Sequence, residues 1–292
     1  MVEQTKEFLE KHNQTQKWLA MNIGVSDAQI STFLAGSYKG NVHNLEQKLK
    51  NFIANFIPNE DKSQAVEFFI DNKNTSYVNH IIKKAVEQVR LSVITGNAGF
   101  GKTTAIKRFI KNRPESIFIK ANNLFTTKDF LEILCNELNI KIESRGSEMF
   151  KSVIATLSRA NKFIVIDEAE WLKDKTLDMV RNIWEESKTP IILSGTLHLK
   201  QNLKGTKGEL DYVDSRIRGR YTLESLSNED IEKVCAYYEV TSDGVEKVKT
   251  LANGNFRLTI FLLEESKDLA QGLGLENITG EVIKEASKMI LE

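Results

Sequence analysis

With 292 residues the chain has room for two or three domains that each bury a core. Its 40 Lys and Arg balance 40 Asp and Glu, which excludes a bulk basic field; residues 58–221 are nonetheless basic and residues 222–292 acidic, so a polyanion would meet the middle of the chain. The two cysteines, Cys135 and Cys235, sit far apart in apolar patterns and exclude a disulfide framework or a cysteine metal cluster; with no apolar signal region and no 18-residue apolar run, a cytoplasmic protein without a membrane span is expected.

Residues 1–57 read as an all-helical domain. Phe8-Leu9 opens a first helix and Trp18-Leu19-Ala20 centres a second. Gly24-Val25 makes a turn, and Ser26 with Gln29 forms a capping box at the start of a third. Val25, Ile30, Phe33 and Leu34 face inward, leaving Asp27, Gln29, Ser31 and Thr32 outward. Leu45, Leu49, Phe52, Ile53 and Phe56 supply a closing helix. Two short helices around a glycine turn, the second with a polar face, suggest a helix-turn-helix, with Gln29, Ser31 and Thr32 as candidate DNA contacts. A small helical bundle that docks a protein fits the same pattern.

Residues 58–75 read as a linker or short docking segment. Residues 76–223 alternate short β-branched runs with helical periods, which means a parallel sheet covered by helices on both faces. Tyr77 and Val78, ahead of a helix through Ile81 and Val89, join the nucleotide-binding candidates. Strands are expected at Leu91–Ile94, Ser116–Lys120, Phe163–Ile166, Pro190–Leu193 and around Tyr221, with helices near 127–139 and 147–160. Residues 224–292 are helical again, capped by Ser227 and Thr279.

The chain is organised around Gly96-Asn97-Ala98-Gly99-Phe100-Gly101-Lys102-Thr103-Thr104, between an apolar strand and a helix. Glycines let successive N–H groups point at phosphate oxygens, and the helix start adds partial positive charge. Lys102 reaches the terminal phosphates and Thr103 offers a hydroxyl to Mg²⁺. Asp167-Glu168, ending an apolar strand, adds a metal-holding aspartate and a glutamate to polarise water. Thr196, or Ser194, stands where a polar group senses the γ-phosphate, though a plain strand-end turn reads alike. Among Arg216, Arg218 and Arg220, one is a candidate for projecting into a neighbouring subunit's nucleotide; a solvated charge cluster is the alternative. Arg257 begins a helix, an electrostatically unfavourable place that suggests a ligand.

Together these residues resemble the AAA+ ATPases: Gly96–Thr103 matches Walker A, Phe163–Glu168 Walker B, Thr196 sensor 1, Arg216 the trans-acting finger and Arg257 sensor 2 in a helical lid. Within them the chain resembles the target-DNA-capture ATPases of transposable phages. That resemblance implies an ATP- and Mg²⁺-dependent protein in a bacterial host's cytoplasm. It also implies a homo-oligomer, a helical filament or ring, on double-stranded DNA of largely any sequence, and activation of a DDE-type transposase. Thr196 departs from the family, where asparagine is usual.

A filament must aim basic and hydroxyl groups at DNA from loops of the sheet domain. The candidates are Thr126, Thr127 and Lys128 at one helix start and Lys141, Arg145 and Lys151 near the next, with Lys200, Lys204 and Lys207 a weaker set on a loop. Two other functions fit the residues: an ATP-switched helix-turn-helix transcription regulator, and a loader or remodeller of a DNA-replication protein.

Overall fold

The computed structural model describes residues 1–11, 15–54, 69–204 and 210–291. Phe56, Lys207 and residues 58–68 of the expected linker lie outside the described residues. The chain forms two compact units, residues 1–67 and 68–292.

The first unit packs helices α1 (Val2–Lys11), α2 (Gln16–Ile23), α3 (Asp27–Leu34) and α4 (Val42–Ala54). Leu9, Leu19, Ile30, Phe33, Leu45 and Leu49 form its core. Thr15 caps α2, Gly24 ends it at φ 66° in the left-handed region, and the Ser26–Gln29 capping box opens α3. Helix α1 begins at Val2, so Phe8-Leu9 falls in its second half and not at its start. Its first turn is polar apart from Val2, which hides the start from apolar periodicity.

The second unit begins with α5 (Lys73–Glu87) and carries a five-stranded sheet: β1 (Leu91–Thr95), β2 (Ser116–Lys120), β3 (Phe163–Asp167), β4 (Ile191–Gly195) and β5 (Ile217–Thr222). The order is β2-β3-β4-β1-β5 and every pairing is parallel. Helices α6 (Lys102–Ile110), α7 (Thr127–Glu137), α8 (Gly146–Leu157), α9 (Asp174–Ser187), α10 (Leu197–Lys204) and α11 (Asp211–Asp214) connect the strands. Alternate side chains serve two cores. Leu91, Val93, Ile164, Ile166, Ile191 and Leu193 pack on α7 to α10. Ile94, Phe163, Val165 and Ile192 pack on Val78, Ile82 and Ala85 of α5 and on Ala105 and Ile106 of α6. That two-sided burial is why β1, β3 and β4 read as continuous apolar runs.

Three elements depart from expectation. Helix α5 starts at Lys73, inside the range read as linker, because Asn72 and Thr75 form a capping box in a polar first turn. Strand β5 starts at Ile217, not near Tyr221; as an edge strand it alternates buried Ile217 and Gly219 with exposed Arg218 and Arg220. Residues 197–204 form helix α10 where a loop was expected.

Helices α12 (Asn228–Tyr237), α13 (Ser242–Ala252), α14 (Phe256–Gly272) and α15 (Gly280–Leu291) share a core of Ile231, Val234, Val248, Leu262, Leu263 and Ile283. Ser227 caps α12 and the Thr279 hydroxyl accepts from Val282 N at 3.4 Å.

Candidate nucleotide site

Parallel pairing brings the carboxyl ends of β1, β3 and β4 together, and β1 lies between β4 and β5. The loop from Gly96 to Gly101 leaves that edge. Gly99 (φ 80°) and Gly101 (φ 85°) are left-handed, a conformation that costs an L-residue roughly 1–2 kcal/mol. Gly101 is the N-cap of α6 and offers no side-chain cap, so the first N–H groups of that helix keep their donors for an anion.

Lys102 folds back on the loop, donating to Gly96 O at 2.8 Å and Asn97 O at 2.9 Å. Burial pushes its ammonium below the ordinary lysine value; the Glu170 and Asp167 carboxylates oppose that shift and Arg257 adds to it. Thr103 donates its hydroxyl to Asp167 Oδ2 at 2.7 Å, and Ser194 donates to Asp167 Oδ1 at 2.8 Å. Asp167 is only 1% exposed, so these two hydroxyls are what keep its charge solvated.

This donor set fits a hard cation. A hydroxyl and a carboxylate oxygen lie side by side next to the phosphate loop, and Mg²⁺ takes few protein ligands, leaving its other positions to phosphates and water. No cluster of three or more His, Cys, Asp or Glu that could cage a metal occurs among the described residues.

Glu168 stands in the left-handed region at φ 54°, ψ 36°, an unusual conformation, and its Oε1 pairs with Lys120 at the end of β2, 3.0 Å away. The Thr196 hydroxyl is buried without a partner among the described residues.

The C-terminal helices reach the loop directly. Asn255, N-cap of α14, donates from Nδ2 to Ala98 O at 3.2 Å, and the Arg257 backbone N donates to Gly99 O at 3.0 Å. A side chain at Gly99 would overlap Asn255. Two helix starts, α6 and α14, thus converge on one loop and add their positive ends there. Sequence reading found Arg257 but missed Asn255, whose helix-capping role is its only local signal.

An apolar pocket beside the loop is lined by Phe69, Ile70, Thr75, Phe100, Leu223 and Phe256, among others. Tyr77 and Val78 do not line it. Val78 is fully buried in the sheet core, and Tyr77 stacks on Tyr221 with ring centroids 4.8 Å apart. The pocket belongs to the residues just upstream, because α5 begins earlier than expected. Asn74 anchors that beginning: its Oδ1 accepts from Tyr221 Oη at 2.8 Å and its Nδ2 donates to Glu224 O at 2.8 Å.

Arg216 sits at the amino end of β5, where Ile217 pairs with Leu91, and donates from Nε to Glu185 Oε1 at 3.1 Å. That is the sheet edge opposite the phosphate loop, so Arg216 does not meet the nucleotide site of its own chain. Arg220 pairs with Asp214 at 2.9 Å, and Arg218 is exposed.

Of the DNA candidates, Thr127 and Lys128 line one groove together with Gly146 and Ser147, so the starts of α7 and α8 lie together and Arg145 adjoins them. Lys128 pairs with Glu132, Lys141 with Glu143 and Arg145 with Glu148, all on the surface; Lys151 is exposed. Thr126 is engaged in a capping box with Asp129, and Thr127 bonds Thr176 at 2.8 Å. Lys200 turns inward to the Thr222 hydroxyl. In the first unit Gln29 accepts from Ser26 N and donates to Tyr38 Oη, and Thr32 bonds back to Ala28 O; Ser31 is exposed.

Residues 86–203 match the family model described as AAA domain. The chain is 24% identical over 254 residues to the Mu-like prophage FluMu DNA transposition protein B of Haemophilus influenzae, covering 83% of this chain and 86% of that one. It is 20% identical over 286 residues to the ATP-dependent target DNA activator B of Escherichia phage Mu, covering 96% and 91%. The fold is similar to that of the Aeropyrum pernix ORC2 protein in its ADPNP–ADP complexes, with TM-score 0.58 at 14% identity over 82% of this chain and 71% of that one. No helix among the described residues is long and apolar enough to cross a membrane. Fold, phosphate loop and likenesses agree: the chain is an ATPase with an AAA+-type fold, and over most of its length it resembles the B transposition proteins of Mu-like phages.

Proposed function

We propose that this ATPase assembles as a homo-oligomer on double-stranded DNA, delivers that DNA to a DDE-type transposase and activates it, in the cytoplasm of a bacterial host. The observation that carries the reading is the separation of Arg216 from the phosphate loop of its own chain. A site with Lys102, Thr103, Asp167 and Arg257 but no arginine at the γ-phosphate from its own sheet is completed by a second copy, as trans-acting arginines complete other phosphoryl-transfer sites. Requiring that second copy makes hydrolysis a consequence of assembly, which suits a protein whose relatives are named for ATP-dependent activation of target DNA.

In this reading residues 1–57 form a helix-turn-helix domain, the AAA+ core runs from the start of α5 at Lys73 to residue 223, and 224–292 form a lid. Thr103 and Asp167 would hold Mg²⁺, which would supply positive charge to offset that of the phosphates. The chain's own groups do the rest. The N–H groups at the start of α6 and Lys102 hold the phosphates, and Thr196 and Arg257 meet the terminal one. Glu168 polarises water once it leaves Lys120. Thr126–Lys128, Lys141, Arg145 and Lys151 face the DNA backbone, exchanging weak surface ion pairs for phosphates.

Footprinting and light scattering test the reading. An extended, ATP-dependent footprint on DNA of any sequence, with growth in mass on adding ATP and duplex together, is the expected outcome. One short palindromic footprint would replace the reading with an ATP-switched transcription regulator using Gln29, Ser31 and Thr32.

A further inference from the structure

The strand order separates two glutamates that are two residues apart in sequence. Both follow β3, which lies between β2 and β4. Glu168 turns to the β2 side and pairs with Lys120. Glu170, in the short 3-10 turn Ala169–Trp171, turns the other way, over the end of β4 toward the phosphate loop. Its Oε2 lies so close to Gly195 that any side chain there would overlap it. The backbone φ of Gly195 is not in the left-handed region, so a larger residue there would meet no backbone strain but would displace the carboxylate and crowd Leu199.

That oxygen is buried and has no hydrogen-bond partner among the described residues. The next residue after Gly195 supplies a second such atom, the Thr196 hydroxyl. Buried polar atoms are almost always satisfied, so two orphans at one strand end mark a place for a water or a ligand group. Gly195 pairs with Thr95, the residue just before the phosphate loop, so a carboxylate over Gly195 stands at the foot of that loop. The turn that carries it is fixed: Asn202 Nδ2 donates to Glu170 O at 2.7 Å.

We propose that Glu170 is a further catalytic residue, its Oε2 accepting a hydrogen bond from the water that attacks the terminal phosphate. The inference rests on hydrolysis at this loop. As the water oxygen bonds to the terminal phosphorus, the bond from that phosphorus to the bridging oxygen of the diphosphate breaks. The water proton passes to Glu170 and then to the released phosphate, which restores the carboxylate. Thr196, next to Gly195, keeps its hydroxyl for the terminal phosphate, and Glu168 adds its own carboxylate when released from Lys120.

Glu170→Gln keeps the shape and removes the charge. Single-turnover hydrolysis of ATP should fall by about 10²-fold, the scale of general-base catalysis. Affinity for a fluorescent ATP analogue, read without Mg²⁺, should hold or tighten, because a negative charge beside Lys102 and the phosphates is gone. Gly195→Ala, which pushes the carboxylate aside, should lower hydrolysis in the same direction. Hydrolysis by Glu170→Gln within twofold of the unaltered protein, or a fall matched by lost affinity, would overturn the proposal. Lys102→Ala run alongside separates the two failures: normal hydrolysis by that variant removes the reaction from this loop altogether.

Discussion

The phosphate loop and helix α3 were both picked from sequence as polar surfaces that meet a ligand, and they use their polar groups in opposite ways. Around the loop some polar groups stay open: the start of α6 has no side-chain cap, and Thr196 and Glu170 end in buried atoms without partners among the described residues. On α3 they are spent internally, Gln29 on the Ser26 cap and Tyr38, Thr32 on its own helix. Spacing finds polar residues in both places. Which of them remain available is decided by hydrogen bonding, and that difference separates a site from a well-capped helix.

The largest expected effect breaks the loop side of the contrast. Arg216→Ala should lower hydrolysis by about 10³-fold if the arginine serves a neighbour's site. Lys102→Ala should lose nucleotide binding. Mixing the two inactive proteins should restore part of the activity, since each supplies what the other lacks. Activity measured across mixing ratios checks this, and plain dilution without recovery would make the site monomeric.

A moderate effect is expected where the DNA candidates lie. Lys128→Ala, with an ATP analogue present, should weaken DNA binding uniformly across sequences and reduce the slope of log affinity against log salt by roughly one. Wild-type affinity and slope in Lys128→Ala, Lys141→Ala and Arg145→Ala alike would leave the groove at the starts of α7 and α8 without a role on DNA.

The smallest effect belongs to α3. Gln29→Ala removes half of a capping box, worth about 0.3–1.5 kcal/mol, and should appear as reduced stability of the first unit in thermal denaturation. DNA affinity should stay unchanged. A large loss of affinity with unchanged stability would mean that Gln29 leaves its cap to read bases, and would move the weight of recognition to the first unit.

What could be read in the sequence was what neighbours along the chain decide. Gly96–Thr103 and Asp167-Glu168 carry their chemistry within a few residues, and the Ser26 and Ser227 caps announce their helices locally. The apolar runs of β1, β3 and β4 were equally plain, being buried on both faces. The parts that escaped depend on distant pairing. Strand β5 looked like a charge cluster because one face of an edge strand is solvated. Asn74 gains its meaning only beside Glu224, and Asn255 only beside Ala98. Nothing near Glu170 in sequence shows that β4 ends in a glycine that makes room for it.

The two bonds from the start of α14 to Ala98 O and Gly99 O make the phosphate loop a mechanical hinge pin for the C-terminal helices. The carbonyls of Ala98 and Gly99 belong to the same peptide units as loop N–H groups that can face a phosphate, so rotation of either unit would be felt at both ends. Loop occupancy and helix position therefore belong to one equilibrium. Linkage makes the traffic two-way: whatever grips the C-terminal helices alters nucleotide affinity by the same factor with which nucleotide alters the grip. At the usual size of such couplings, about 1–3 kcal/mol, that factor is roughly 5 to 150. Any contact that favours one placement of those helices is thereby coupled to the loop through two main-chain carbonyls.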